Sequence, residues 1–213
     1  MKPMLTKCLP ALAAAAALGL AGAAAAQTTD LLISEYVEGS ANNKAIEIFN
    51  GTEDSVELGT YAIVRYSNGT ATGFPIALQP VTLAPGDVYI VTHNLAAAGL
   101  LAVADQVDAN LNFNGNDALV LARSGVPVDS IGRVGEDPVT AWSCGAGSTV
   151  NHTMRRISSL CTGDANPDDV YDPCVGWIFF ATDTFSGLGA HVADCGTVAD
   201  EPASWGAVKA SYR

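Results

Sequence analysis

Short hydrophobic runs, separated by turn-forming residues, dominate the chain from residue 31 onward. Within several runs the apolar and polar side chains alternate. Ile46 and Ile48 fall on one side of an extended segment, and Glu47 and Phe49 fall on the other. A period of two is typical of half-buried β-strands. The pattern therefore predicts strands over residues 31–37, 44–49, 61–66, 88–92, 118–121 and 126–131.

Turn formers fill the gaps between these runs. Asn-Gly pairs begin at Asn50, Asn68 and Asn114, and this pair tolerates positive φ in tight turns. Residues 95–107, rich in alanine and leucine, predict a short helix. Many short strands with frequent turns indicate an all-β fold, an antiparallel β-sandwich of about seven to nine strands. We expect the strands to bury a shared set of apolar side chains, namely Ile33, Ile46, Ile48, Val64, Ile90, Leu119 and Leu121.

Residues 1–26 have the pattern of an export signal. Lys2 and Lys7 give a positive start, a mostly apolar stretch follows, and three alanines precede Gln27. A short apolar core that ends in small residues is typical of a cleaved signal peptide. An uncleaved membrane anchor is the alternative, but the stretch is mostly alanine and contains Pro10. We therefore expect cleavage and a secreted protein that is extracellular, periplasmic or attached to the cell surface.

Charge narrows the range of partners. The sequence has a formal net charge of −12. Removing the two lysines of the leader leaves 8 basic and 22 acidic side chains, a net charge of −14. Nucleic-acid binding depends on lysine and arginine displacing counterions, and anionic lipid surfaces attract basic segments. We therefore expect no broad nucleic-acid face, and we expect no transmembrane segment after cleavage of the signal.

Alternation weakens from about residue 137, where glycine, aspartate and cysteine become common. Of the five cysteines, Cys8 lies in the predicted signal peptide, so cleavage leaves four. We expect this part to be a loop-rich flap held by disulfides, because exported chains with an even number of cysteines usually pair them. No two of these cysteines have the close spacing typical of a zinc site. Three pairings are open, and we favour Cys161–Cys174 with Cys144–Cys195. The four cysteines assigned to disulfides are Cys144, Cys161, Cys174 and Cys195.

Specific sequence segments resemble a known family. The opening segments are ISEYVEGS at residues 33–40 and NNKAIEIFNG at residues 42–51. They closely resemble the start of the lamin tail domain family, in the bacterial secreted branch that is found fused to extracellular nucleases. Further similar segments follow in the family's order, and they are LAPGDVY (83–89), FNGNDAL (113–119), DSIG (129–132), HTMRR (152–156), DTF (183–185) and LGAH (188–191).

The resemblance implies an immunoglobulin-like β-sandwich, which agrees with the strand pattern. It covers roughly residues 31–191 of the sequence. We accordingly divide the chain into a signal peptide (1–26), a lamin-tail-like domain (27–197) and a C-terminal tail (198–213). The nuclease relatives carry their chemistry in a separate metal-dependent domain. No such domain follows in this sequence, so the resemblance does not imply nuclease activity here.

Candidate catalytic residues are few. The sequence has no Gly-x-Ser-x-Gly, His-Glu-x-x-His or phosphate-loop motif. His93, His152 and His191 lie far apart in sequence, and we expect structural roles for them. We expect the same of the strand residues Glu35, Glu47 and Asn50. For these three the alternative is a polar ligand-binding patch.

One acidic loop is a weak calcium candidate. Asp164, Asn166 and Asp168 place oxygen ligands at alternate positions, as calcium loops often do. Pro167 takes the place of a flexible position, and the glycine and glutamate of a complete calcium loop are absent. We therefore favour a solvated acidic loop, with no cofactor, over a Ca²⁺ site.

The function that these observations favour is a secreted, non-enzymatic binding module. Its ligand would be an extracellular or cell-surface protein or polysaccharide. The alternative is an accessory domain or a stand-alone form of a secreted nuclease or hydrolase system. In the tail, Trp205, Val208 and Tyr212 have a spacing that would align them on one side of a short helix. Such a helix could pack on the domain, could be recognised by another component, or could have no role.

Overall fold

Strands make up most of the regular structure of the chain. The computed structural model describes residues 28–195. The predicted signal peptide and the predicted short helix of the C-terminal tail lie outside the described residues. One short helix, α1 (Ala98–Leu101), and a 3-10 turn (Leu58–Thr60) interrupt the strands. The strands are β1 (Leu32–Glu38), β2 (Lys44–Phe49), β3 (Val56–Glu57), β4 (Tyr61–Tyr66), β5 (Phe74–Ala77), β6 (Thr82–Leu83), β7 (Val88–Thr92), β8 (Gln106–Val107), β9 (Ala118–Arg123), β10 (Val126–Ile131), β11 (Ser143–Cys144), β12 (Gly147–Ser148), β13 (His152–Arg156) and β14 (Trp177–Ala181).

Two sheets form the body of the domain. The larger has six strands in the order β14-β13-β1-β2-β7-β8, and the smaller has four in the order β10-β9-β4-β5. Neighbouring strands pair antiparallel except β7 and β8, which are parallel. Two short ribbons, β3/β6 and β11/β12, complete the strands. The predicted antiparallel β-sandwich is therefore confirmed.

The core lies between the two sheets, and alternation along each strand fills it. Ile46 and Ile48 of β2 point into the core, as do Ile33 of β1 and Leu119 of β9, and all four are fully buried. Truncating one of these side chains to alanine costs about 2–5 kcal/mol in comparable cores. In β1, β2 and β9 the side chains that enter the core thus include those that the sequence pattern selected.

The outer face of the larger sheet is also covered, which the sequence pattern did not reveal. Val37 and Ala45 pack with Leu100 of α1 in a second apolar cluster. Phe185 and Leu188 of a later loop cover the same cluster. Because both faces are covered, every residue of β1 and β2 is buried, including the charged ones.

Five of the six predicted strands match the observed ones to within one residue at each end, and β9 extends two residues further than predicted. Val64 was expected in the core but is only half-buried, because Tyr61 and Ile63 occupy the core side of β4. The predicted helix over residues 95–107 shortens to the four residues of α1. No side chain caps its start, and so short a helix depends on packing.

The prediction for residues after 137 is wrong in one respect. They include β13 and β14, which extend the larger sheet beyond β1. Polar residues hid β13, since Thr153 and Arg155 face outward while Met154 enters the core. The two main sheets therefore contain ten strands, more than predicted.

The favoured disulfide pairing is also wrong. Cys144 bonds Cys174, and Cys161 bonds Cys195. The β11/β12 ribbon explains the first bond, because Gly147 of this ribbon packs directly on the Phe179 ring of β14. That contact brings Cys144 close to the segment that leads into β14. The expectation that all four cysteines form disulfides is met.

No helix among residues 28–195 is long and apolar enough to cross a membrane.

Candidate functional site

A cavity of about 320 Å³ lies where the ends of the two sheets meet the C-terminal loops. Buried residues form its floor: Asp129 on β10, Arg156 at the end of β13 and Trp177 at the start of β14. Residues 160–164 and 169–175 form its two walls. We call this feature the stapled cavity, because each wall carries one disulfide-bonded cysteine.

The two disulfides connect the cavity walls to different parts of the chain. Cys161, in the first wall, is bonded to Cys195 near the end of the described chain. Cys174, in the second wall, is bonded to Cys144 of the β11/β12 ribbon. The bonds join residues 34 and 30 positions apart, respectively. Loops of this length gain about 3–4 kcal/mol of stabilisation from a disulfide, mainly through the unfolded state.

An ion pair closes the floor of the stapled cavity. The Arg156 guanidinium donates to the Asp129 carboxylate, and both side chains are almost fully buried. Arg156 Nε also donates to the Ile33 carbonyl at 2.6 Å, and its Nη1 donates to the Thr162 carbonyl at 3.5 Å. The guanidinium lies 4.7 Å from the centre of the Trp177 ring, within the range of a cation–π contact. Each of the three guanidinium nitrogens of Arg156 therefore has an acceptor within the protein.

Asp129 is saturated as well. Besides Arg156 it accepts the backbone N–H groups of Ile33 at 2.7 Å, Ser130 at 2.9 Å and Asp164 at 2.8 Å. The bond from Asp164 anchors the first wall to β10. Gly163 allows this close approach, because a Cβ there would clash with the backbone of β10. The pair thus fixes both the sheet junction and one wall.

Two hydroxyl groups of the cavity lining are left without partners. Ser130 is only 2% exposed, and its Oγ has no hydrogen-bond partner among residues 28–195. The Tyr171 hydroxyl is likewise buried without a partner in that range, and burial raises its pKa. The Tyr171 ring rests edge-on against Trp142, with ring centres 5.8 Å apart. Unpaired buried polar groups are uncommon and call for a reason.

Aspartates occupy the walls of the cavity. Asp164 accepts the Asn166 N–H at 3.1 Å, Asp169 accepts the Asn166 side-chain amide at 3.0 Å, and Asp172 accepts the Cys174 N–H at 2.8 Å. The second carboxylate oxygen of each of the three accepts no hydrogen bond from residues 28–195, and none of the three forms an ion pair within that range. The walls therefore carry uncompensated negative charge.

The calcium candidate lies in this same loop. Asp164 and Asn166 are engaged as just described, while the backbone carbonyl of Asp168 accepts Arg133 Nε at 2.8 Å. Asp168 is not part of the cavity lining. Within residues 28–195 no three His, Cys, Asp or Glu side chains are grouped closely enough to hold a metal ion.

A second polar cluster lies on the outer face of the larger sheet. Glu35 of β1 stands directly opposite Glu47 of β2, and both are almost fully buried. Arg155 Nε donates to Glu35 at 2.8 Å. Burial raises the pKa of Glu35 to about 7, and it also raises the pKa of Glu47. Two carboxylates at adjacent positions favour the neutral form of one of them.

Residues 185–191 cover this acidic pair. The Gly189 N–H donates to Glu47 at 2.6 Å, and Ser34 Oγ donates to the same side chain at 2.7 Å. Gly187 sits so close that a Cβ there would clash with Arg155 and Glu35. The cluster is therefore sealed by backbone, which gives Glu35 and Glu47 a structural role in holding this loop.

Asn50 and the histidines also take structural positions. Asn50 Nδ2 donates to the carbonyls of Asp54 and Leu83, which fixes the turn after β2. His93 Nδ1 accepts the Leu95 N–H at 3.0 Å, and His152 Nδ1 lies 2.8 Å from the Val150 carbonyl. His191 packs edge-on against Phe49, and burial lowers its pKa to about 4. The structure does not bring Asn50 and the three histidines together into one site.

Sequence reasoning missed the stapled cavity. Asp129 and Arg156 fall within segments that resemble the family, and no sequence motif marks Tyr171 or Trp177. One signal was available, since an aspartate inside the apolar run of β10 needs a buried partner. Its partner lies 27 residues away, in a strand that the pattern did not predict.

Comparison with known proteins identifies the family. The family model described as Lamin Tail Domain matches residues 24–135, which is just over half of the sequence. The match spans β1 to β10, and the similar segments beyond residue 135 lie outside it. The chain matches no curated protein sequence at a significant level. On the strength of the family match and the sandwich architecture, the chain belongs to the lamin tail domain family, an immunoglobulin-like domain of the interaction type.

Proposed function

We propose that this chain is an exported binding module of the lamin tail type that acts outside the cytoplasm and catalyses no reaction. The observation that carries the proposal is the pair of disulfides around the stapled cavity. Structural disulfides form and persist in oxidising compartments. The signal-peptide pattern of residues 1–26 supports the same location. Both features suit the bacterial secreted branch that the sequence resembles.

Binding is favoured over catalysis because the buried charged groups are committed to structure. A general acid or base needs a group free to exchange a proton with a substrate. Asp129 and Arg156 satisfy each other and the backbone around them. Glu35 and Glu47 lie beneath residues 185–191. What remains accessible is a shaped cavity with charged walls, which is the ordinary form of a ligand site.

Export is tested by expressing the full chain in a bacterial host and fractionating the cells. We expect the protein outside the cytoplasm, with an N-terminus at Gln27 and no free thiol when it is denatured without reductant. A matched variant that lacks residues 2–26 should stay in the cytoplasm with reactive thiols. Retention of the full chain in the cytoplasm in reduced form would overturn the proposal.

The non-enzymatic part has its own test. Purified mature protein should leave DNA intact when Mg²⁺ or Ca²⁺ is added. Hydrolysis that disappears on Asp164→Ala with Asp168→Ala would instead establish a metal-dependent nuclease. A variant at an exposed aspartate outside this loop, Asp87→Ala, serves as the control.

A further inference from the structure

We propose that the stapled cavity binds a guanidinium group, such as an arginine side chain presented by a small molecule or an exposed segment of a partner. This inference rests on the proposed function and deepens it by naming the ligand chemistry. It is carried by the charge of the lining, the two unpaired hydroxyls and the size of the cavity.

The walls of the stapled cavity carry a net negative charge. The described lining residues include four aspartates, Asp129, Asp164, Asp169 and Asp172, and one cation, Arg156. Asp129 and Arg156 neutralise each other in the floor. The three remaining carboxylates leave a net charge of −3 on the walls. A concave site with one sign of charge concentrates ligands of the opposite sign, so the cavity selects for cations.

Hydrogen bonding is the second step. Arg156 already donates to Asp129, Ile33 and Thr162, and the Asp129 carboxylate compensates its charge, so the floor does not present a free cation to an anion. The walls offer free carboxylate oxygens from Asp164, Asp169 and Asp172. Ser130 and Tyr171 also belong to the lining, and their buried hydroxyl groups have no partner among residues 28–195. The site is thus rich in acceptors, and it suits a ligand that carries several donors.

Size and geometry are the third step. The carboxylates stand on two different walls, and the cavity volume of about 320 Å³ exceeds that of a single ion. A guanidinium group spreads five N–H donors over a rigid plane and can serve separate acceptors at once. It is also less strongly hydrated than an ammonium group, which lowers the cost of entering a site floored by Trp177.

The test is a calorimetric titration of the oxidised mature protein, residues 27–213, at low ionic strength. The probe is arginine methyl ester, and the matched control ligand is citrulline methyl ester, which replaces the guanidinium with a neutral urea of similar shape. We expect the arginine probe to bind at least tenfold more tightly than the citrulline probe. Raising the salt to 0.5 M should weaken the arginine probe, because partly exposed charges are screened. Equal affinity for the two probes, or no binding of either, would overturn the inference.

Variants locate the site. Asp169→Asn with Asp172→Asn removes two wall charges while keeping the shape, and we expect it to lower the affinity for arginine methyl ester at least tenfold. Asp87→Asn with Glu53→Gln makes the same charge change at exposed positions away from the cavity and should leave the affinity within twofold. Equal losses in the two double variants would overturn the assignment. The melting temperature of each variant confirms folding. If arginine methyl ester does not bind but the protein is exported with both disulfides formed, the guanidinium site is refuted and the proposed exported binding module is not. The two proposals are therefore tested separately.

Discussion

Several buried charged side chains in this domain form ion pairs with side chains on other strands. Arg156 of β13 meets Asp129 of β10 at the junction of the two sheets. Arg155 meets Glu35 across β13 and β1, and Lys44 meets Glu38 at 2.6 Å across β2 and β1. A buried charge that loses its partner is far more costly than a buried pair.

The Asp129–Arg156 pair gives the first prediction. Arg156→Met should lower the free energy of unfolding by about 3–5 kcal/mol, because it leaves Asp129 buried without its counter-charge. Arg123→Met is the control, since Arg123 pairs with Asp30 on the surface, and it should cost at most about 1 kcal/mol. Urea denaturation measures both. Similar small losses in the two variants would mean that the buried pair does not secure the sheet junction.

The acidic pair gives a pH prediction. Burial raises the pKa of Glu35 from 4.5 to about 7, so the stability it contributes is full below about pH 4.5 and is lost as the pH rises through about 7. The lowered pKa of His191, about 4, has the opposite effect, and its contribution is lost as the pH falls from 6.5 toward 4. At pH 6.5 the unfolded histidine is still half protonated, so His191 offsets part of the fall due to Glu35 until about pH 7.5.

Between pH 6.5 and pH 8 Glu35 alone should lower the free energy of unfolding by roughly 1 kcal/mol, and because His191 offsets part of this, the wild-type protein should show a net fall of roughly 0.5 kcal/mol. Glu35→Gln should remove most of this fall, because the amide does not titrate. Glu53→Gln, at an exposed position, should keep it. Urea titrations at the two pH values provide the measurement, and an equally steep fall in Glu35→Gln would assign the effect to another group.

At the level of elements, the sequence predicted a strand correctly where apolar and polar residues alternate. It failed where the strand or bond depends on tertiary packing. Ile46 and Ile48 of β2 mark their face by period alone. In β13 the core side holds the charged Arg156 beside Met154, so period two carries no apolar signal there. The disulfide pairing was equally out of reach, since it depends on the contact of Gly147 with Phe179.

The two disulfide bonds give a prediction about stability. Replacing Cys144 and Cys174 by serine should cost about 3–4 kcal/mol, and so should replacing Cys161 and Cys195, because each bond closes a loop of about thirty residues. Urea denaturation of the two double variants gives both values. Peptide mapping without reduction should recover Cys144 with Cys174, and recovery of Cys161 with Cys174 would refute the observed pairing.

At the scale of the whole molecule, the segment that the family model matches is shorter than the segment that forms the two sheets. The match ends at residue 135, but β1 lies between β2 and β13 in the middle of the larger sheet. Residues beyond the match thus supply one of the two strand partners of β1. They also supply Arg156, the counter-charge of Asp129.

A chain cut after residue 135 should therefore fail to fold. It would expose one edge of β1 and leave Asp129 buried without its counter-charge. We expect poor amide dispersion in its NMR spectrum and no cooperative unfolding, in contrast to the intact chain. A well-dispersed spectrum with a cooperative transition would show that the segment matched by the family model folds alone.

The role that we propose for the disulfides is to hold a ligand cavity on a lamin tail scaffold. The most direct measurement is an NMR titration of ¹⁵N-labelled mature protein with arginine methyl ester, before and after reduction. In the oxidised protein the shifted amides should be those of the cavity walls, including Asp164, Asp169 and Asp172, and reduction should abolish the shifts while β1 and β2 keep their native signals. Shifts confined to other surfaces, or wall shifts that persist unchanged after both disulfides are reduced, would contradict the claim.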